Sequence, residues 1–351
     1  MDLNKIDILS GLNLSSERKS ELEARINYYK NFIKKEDIPI ESKIEELTDI
    51  LKESKGRLKS IYGFLEYIFN DIIVLKEEGA EHSKHMYALS AGTASRLGFD
   101  RGEVINYISY SAVLHDIGKW VLPGFVMKML EKGEQLPIEY YGMVKLHAVT
   151  GSLLLKVVSQ NIGDLAGVPT VVLCHHEEID GNGYLGLRGN EIPLVSKITS
   201  VVDSYLSIAR KRSYDPKTPH KEVIEELKRC ADLPFDTELL NNSNKKKIEA
   251  LKQGDIKNYG EEEGLKYYYE RLRMKFERNT RTGKRLPEDL TMSYEEVLDA
   301  DLPVIEDAYL KVRLMPEYQF SGKVVEKFSG FITDNPRSIE NILKSDILYA
   351  D

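Results

Sequence analysis

From Ile44 to Ile72 the apolar residues return at intervals of three and four: Ile44, Leu47, Leu51, Leu58, Ile61, Leu65, Ile68, Ile72. That spacing places them on one face of a helix, because a residue of an α-helix shares its face with those three and four positions on. The same intervals recur through most of the 351 residues, whereas Val, Ile and Thr rarely fall in alternating runs. An all-α protein follows. Ser54 interrupts the stripe, and Gly56 weakens a helix there by roughly 1 kcal/mol relative to Ala. The stripe is heptad-like, so it either packs on its own domain or serves as a dimerising or signal-carrying helix.

With 42% hydrophobic and 30% charged residues, a chain of this length can bury a core without covalent staples. The two cysteines, Cys174 and Cys230, build neither a disulfide framework nor a Cys-x-x-Cys zinc knuckle, and this usage suits a reducing cytoplasm. The opening Met-Asp-Leu-Asn-Lys lacks the basic and apolar regions of a signal peptide. No apolar run approaches the ~20 residues of a membrane span. A formal net charge of -8 argues against non-specific binding to polymeric nucleic acid but not against a small anionic ligand. Lys266 to Arg285 is basic and carries Tyr267, Tyr268, Tyr269 and Phe276. It reads as a charged helix with one aromatic face rather than as a single-strand-binding surface.

Chemistry concentrates between residues 81 and 214. Glu81 and His85 are four apart and share a helix face, which turns His82 elsewhere, toward the surface. Asp100 with Glu103 has the form of a capping box. The helix it opens ends in Ser111-Ala-Val-Leu-His115-Asp116-Ile-Gly-Lys119. His147 lies on a further helix, and His175-His176 follow a short apolar helix that begins near Pro169. The loop Asp180-Gly-Asn-Gly183-Tyr184-Leu185-Gly186 is neither an EF-hand nor a dinucleotide fingerprint. Asp203 sits on the next helix, and Arg210, Lys211 and Arg212 follow it.

Glu81, His85, His115, Asp116, His147, His175, His176 and Asp203 come from separate helical segments. In an all-α domain they converge only in a bundle core, where such folds build metal sites. Histidine and carboxylate ligands without thiolate suit Fe, Mn or Zn. Eight ligands exceed the needs of one ion, but an Asp116 that bridges two or three ions accounts for them. Such a site supports hydrolysis of a phosphate ester, because the cations lower the pKa of water and neutralise developing charge.

The pattern from Glu81 to Tyr214, with His115-Asp116, Lys119, His147, His175-His176-Glu177, Asp180-Gly-Asn-Gly-Tyr184 and Asp203, resembles the HD-GYP family of metal-dependent phosphohydrolases. The resemblance implies a helical-bundle HD-domain core over 76–220, between helical regions at 1–75, dimerising or regulatory, and 221–351. It implies hydrolysis of cyclic di-GMP to pGpG or GMP by a hydroxide between the metals, with two or three divalent ions, Fe or Mn. His85, His115 and Asp203 would hold one ion, and His147, His175 and His176 the second. Asp116 would bridge them, and Glu81 would serve a third. Lys119 and Arg212 fall where the family places phosphate-binding cations; Gly183 and Tyr184 are candidate substrate contacts, with Tyr184 read either as that or as a loop-packing ring. One position departs from the pattern: the family's Gly-Tyr-Pro reads Gly183-Tyr184-Leu185, and the φ that proline would fix is left open. That departure bears on substrate fit and on any protein partner met by this loop. Two other readings stay open: a phosphohydrolase for another cyclic dinucleotide or nucleotide, and a weakly catalytic cyclic-dinucleotide receptor or scaffold. The chain also admits a homodimer.

Overall fold

The computed structural model describes residues 3, 6–54, 60–71, 78–131, 138–209, 219–280, 285–337 and 339. No described residue lies in a β-strand, so the all-α expectation holds. The chain divides into two compact units, one made of residues 1–207 and 318–351 and the other of 208–317. This division differs from the three-part reading of the sequence. Residues before 75 pack into the same core as the middle of the chain, and the segment after 221 is shared between the two units.

In the first unit the helices are α1 (Ser16–Lys35), α2 (Ile40–Glu53), α3 (Ile61–Asp71), α4 (Glu78–Arg96), α5 (Gly102–Val113), α6 (Gly124–Glu131), α7 (Ile138–Val158), α8 (Val168–Cys174) and α9 (Leu194–Ala209). The last of these ends just beyond the unit's boundary. Ser15 caps α1 by accepting the Arg18 amide at 3.2 Å, which satisfies one of the amides that a helix start leaves open. Lys34 and Lys35 sit in its last turn, where they oppose the negative end of the helix dipole. Helix α5 begins one residue later than the capping-box reading requires. Its N-cap is Arg101, which forms no side-chain cap. Pro169 opens α8 as expected, since a missing amide costs nothing in the first turn.

The apolar stripe from Ile44 is spent inside this unit. Ile44, Leu47, Ile61, Leu65 and Ile68 are all buried in one cluster with Leu22, Ile26 and Ile33 of α1 and with Leu153, Leu154 and Leu155 of α7. Leu58 and Ile72 lie outside the described residues. Helix α7 packs against α1, α2, α8 and the 3-10 turn Ile117–Val121. Every residue of α8 is buried, as befits a helix that is apolar all round.

The second unit holds α10 (His220–Arg229), α11 (Thr237–Tyr259), α12 (Glu261–Thr280), α13 (Tyr294–Leu298) and α14 (Leu302–Val312). Its core joins Tyr268, Leu272 and Phe276 of α12 to Val297, Ile305, Ala308 and Val312. The aromatic face between the basic residues of α12 is therefore core at a spacing of four. The chain then re-enters the first unit, where α15 (Gly322–Asp334) packs on α4. Phe328 meets the Tyr205 ring edge-on at 5.0 Å. Cys174 and Cys230 are buried and unbridged. Among the described residues no helix is long and apolar enough to cross a membrane.

Candidate metal centre

Five segments of the first unit deliver the polar core. Helix α4 brings His82, the end of α5 brings His115 and Asp116, α7 brings His147, the exit of α8 brings His175 and His176, and α9 brings Asp203. Two glycines let the backbones approach. A Cβ on Gly118 would overlap the His147 carbonyl, and one on Gly151 would come within 3.0 Å of the Gly118 amide. The Thr150 hydroxyl donates to the Gly118 carbonyl at 3.1 Å. The turn after Asp116 is thereby held flush against the turn of α7 that carries His147.

Three of the histidines are oriented by one device. The Nδ1 atoms of His115, His147 and His175 lie 2.6, 2.5 and 2.7 Å from the carbonyl oxygens of Ala112, Val144 and Val172, each three residues earlier. A carbonyl only accepts, so Nδ1 holds the proton and Nε2 of the neutral ring presents a lone pair to the interior. The Nε2 atoms of His147 and His175 then face each other at 3.1 Å. Among the described residues the buried His115 Nε2 makes no well-aligned hydrogen bond, although the Asp116 carboxylate lies 3.2 Å away. Buried lone pairs aimed at one another repel unless a cation lies among them, and carbonyls that accept the Nδ1 proton set metal-bound imidazoles in this way. The donor set therefore fits divalent metal.

Three sets of side chains each bring their ligating atoms within 4.8 Å of one another: His147, His175 and His176; His82, His115 and Asp203; and His115, Asp116 and His175. Asp116 joins the halves. Its Oδ2 lies 3.2 Å from His115 Nε2 and its Oδ1 lies 3.3 Å from His147 Nε2. Lys119, one turn on, donates to Asp116 Oδ2. Asp203 Oδ1 is 3.4 Å from His82 Nε2 and 3.7 Å from His115 Nε2.

Burial and local charge divide the protonation states. Burial pushes His147 down to about 4, against the pull of Asp116. It pushes His176 down to about 3, with His147 adding to the effect, and His175 goes well below the usual imidazole range for the same cause. Burial also acts to lower His115, but Asp116 and Asp203 outweigh it and leave the ring raised. Burial acts to raise Asp116, yet His115 and Lys119 hold it well below the usual carboxylate range. Asp203 is likewise lowered against burial, by its hydrogen bond with His82 and by His115. The histidine half on α7 and α8 thus stays neutral and ready to ligate while both carboxylates stay charged.

Of the residues singled out in the sequence, the structure gathers His115, Asp116, His147, His175, His176, Asp203 and Lys119. Tyr184 lies over them, its ring tilted 32° on His176 at 4.7 Å between centroids and edge-on to His147 at 6.3 Å. Gly183 has the room to matter: a Cβ there would come within 2.5 Å of the Glu177 Cα and 2.7 Å of the His176 carbonyl. Glu81 is exposed and His85 buried, and neither belongs to the three ligand sets. Arg212 lies outside the described residues.

Beside His115 and Asp203, where the sequence reading expected His85, the structure brings His82, one helical turn earlier. His82 continues the buried line of Met86, Leu89 and Thr93 backwards by four, a signal present in the sequence but overridden by the Glu81–His85 spacing. Two further neighbours of the site carried no sequence signal. The Lys145 Nζ sits 5.4 Å from the Tyr184 ring centroid and 5.1 Å from that of Tyr141.

Residues 68–239 match the family model of the HD domain. A cyclic di-GMP phosphodiesterase from Thermotoga maritima is 29% identical over 164 residues, 46% of this chain and 43% of the relative. A probable cyclic di-GMP phosphodiesterase from Vibrio cholerae is 34% identical over 125 residues, 34% of this chain and 28% of the relative. The 3'3'-cGAMP-specific phosphodiesterase 2 of Vibrio cholerae is 26% identical over 161 residues, 46% of this chain and 28% of the relative. The matched segment spans less than half the length of each of these relatives.

Proposed function

We propose that this chain, an HD-domain protein through its residues 68–239, is a metal-dependent phosphodiesterase that cleaves cyclic di-GMP. The observation that carries the reading is Asp116, whose two carboxylate oxygens face the two histidine-bearing halves of one buried cluster. A carboxylate so placed is built to bridge. His82, His115 and Asp203 would hold one divalent ion, and His147, His175 and His176 a second, with Fe(II) or Mn(II) favoured by the mixture of imidazole and carboxylate donors. When bound, the ions supply Lewis acidity toward a phosphoryl oxygen and make water a nucleophile at neutral pH.

The chain's own residues do the rest. The carbonyls of Ala112, Val144 and Val172 keep three imidazoles in the ligating tautomer. Lys119 is a second cation at the carboxylate that bridges the halves, free to exchange Asp116 for a substrate phosphate. Tyr184 closes one side with an aromatic face, on which a nucleobase can stack. Water adds at a phosphodiester phosphorus and the 3'-oxygen leaves, which yields 5'-pGpG; a second cut yields GMP.

The cGAMP-specific relative and the Leu185 departure favour a second reading, the same chemistry on another cyclic dinucleotide. Protein prepared anaerobically with Fe(II) or Mn(II) and assayed for bound metal and for cyclic di-GMP turnover by chromatography tests the first. Turnover to pGpG or GMP that disappears in Asp116→Ala is the expected result. Turnover of cGAMP but not of cyclic di-GMP moves the protein to the second reading, and tight dinucleotide binding without turnover makes it a receptor.

A further inference from the structure

Helix α1 belongs to the part of the chain with no catalytic motif, yet it grips the loop that carries Tyr184. Arg18, Arg25 and Tyr29 are spaced by seven and four and so share a face of that helix. Each donates to a different one of three successive loop carbonyls. The Tyr29 hydroxyl donates to the Tyr184 carbonyl at 3.1 Å, the Arg25 guanidinium to that of Leu185, and Arg18 Nη2 to that of Gly186 at 2.5 Å. Arg18 is itself steadied by Glu191, at 2.9 Å from its Nε and 3.3 Å from its Nη2.

The opposite edge of the same loop is held by Glu177, the residue directly after His176. Its Oε1 accepts the Leu185 amide and its Oε2 the Leu187 amide, both at 2.7 Å. The loop backbone is therefore pinned between a buried carboxylate and α1. It has little slack. Gly186 has φ +80°, and a Cβ there would come within 2.5 Å of Arg25 Nη1, so the close approach of Arg25 needs the glycine. Gly183 lies against the His176–Glu177 backbone, as noted above. A shift of the loop carries the Tyr184 ring with it across His176.

We infer that α1 is the positioning element of the Tyr184 loop, with Arg25 and Tyr29 as positioning residues that set Tyr184 beside the metal centre and so determine how tightly substrate is held. Among the described residues their hydrogen bonds go to loop carbonyls and not to the ligating side chains, so they act on substrate binding and leave metal binding alone. The identity of that substrate rests on the phosphodiesterase reading; the positioning itself does not. The N-terminal segment is thereby a working part of the site rather than an appendage.

Hydrogen–deuterium exchange of the full chain, with Arg25→Ala, Arg25→Lys and Tyr29→Phe beside the parent, tests the inference. In Arg25→Ala the amides of residues 184–187 exchange about tenfold faster, the change expected when one anchoring bond is lost. The amides of α7 and α8, and the metal content, stay at parent values. Arg25→Lys restores part of the protection. With cyclic di-GMP the KM of Arg25→Ala rises about tenfold at nearly constant kcat, the signature of lost substrate binding. Hydrolysis of bis(p-nitrophenyl) phosphate, which is too small to need the loop, is unchanged. Tyr29→Phe keeps the ring and removes one oxygen, and it gives the same pattern at smaller size in a chain whose packing is intact. Unchanged loop exchange in both Arg25→Ala and Tyr29→Phe overturns the inference, as does loss of metal or a fall in kcat at constant KM. If the parent cleaves no cyclic dinucleotide, the substrate reading fails while the exchange of residues 184–187 still decides the positioning.

Discussion

The two compact units each bury a cluster of ionisable side chains, and the clusters are finished differently. In the second unit Arg229, 1% exposed, has every guanidinium nitrogen satisfied: Nε and Nη2 donate to Glu226 at 3.2 and 3.1 Å, and Nη1 donates to the Met315 carbonyl at 2.5 Å. Glu317 adds a carboxylate at 3.3 Å, and Arg313 pairs with Glu226 as well. Charge and hydrogen bonds close within the protein. In the first unit the Nδ1 side of each oriented imidazole is satisfied by backbone, while the Nε2 sides of His147 and His175 face each other and those of His115 and His147 share the one carboxylate of Asp116. A buried polar group without a partner is costly. A cluster whose imidazoles are anchored by backbone on one side and crowd their ligating nitrogens around a single carboxylate on the other is therefore arranged to hold a cation. Paired burial marks structure, and anchored but crowded burial marks a site.

The comparison breaks first at Asp116. Asp116→Ala removes the carboxylate that faces both halves, and metal content together with phosphodiesterase activity should fall by more than the ~100-fold that loss of a group merely hydrogen-bonded to a ligand costs; metal analysis and steady-state assay check both. Next, His82→Ala should lower bound metal and activity about 10–100-fold, whereas His85→Ala leaves the metal count at the parent value. The reverse outcome would restore the register in which Glu81 and His85 ligate.

The second unit should respond in stability alone. Glu226→Gln leaves the buried Arg229 and the partly buried Arg313 short of their shared carboxylate and should cost about 3–5 kcal/mol, read as a lower denaturation midpoint with metal content untouched. Leu185→Pro, which by sequence alone would restore a rigid loop, instead deletes the amide that donates to Glu177. A buried carboxylate left one hydrogen bond short should cost about 1–3 kcal/mol, visible as a lower Tm, with weaker substrate binding.

The smallest effect is in acid. Burial acts to raise Glu226, but Arg313 and Arg229 outweigh it and bring the carboxyl down to about 2 from an ordinary 4.5. A carboxyl whose folded pKa is depressed contributes stability above its unfolded pKa and loses it as protons bind the native state. The Tm difference between the parent and Glu226→Gln should be constant above about pH 5 and shrink as pH falls from about 4.5 toward 2. A difference that does not change with pH would remove the ion pair from the account of that unit.

Much of this protein was legible in its sequence. Apolar intervals of three and four are a local property of the helix, so the all-α class could be read directly. Six of the eight proposed ligands converge, because a buried histidine or aspartate at the end of an apolar helix has no inexpensive alternative to a shared core. Register within E-H-S-K-H was another matter. His85 is buried and His82 partly buried, and only the placement of α4 brings His82 within reach of Asp203 and His115. Nor does any local pattern in Arg18, Arg25 and Tyr29 announce a target 155 to 168 residues away. Their partners are backbone carbonyls, which every residue possesses and no side-chain pattern reveals. The sequence by itself determined which helices form and which side chains must seek a polar core. Only the tertiary structure decided which histidine faces that core and which helix holds the loop beside it, because those choices depend on how helices far apart in the chain are brought into contact.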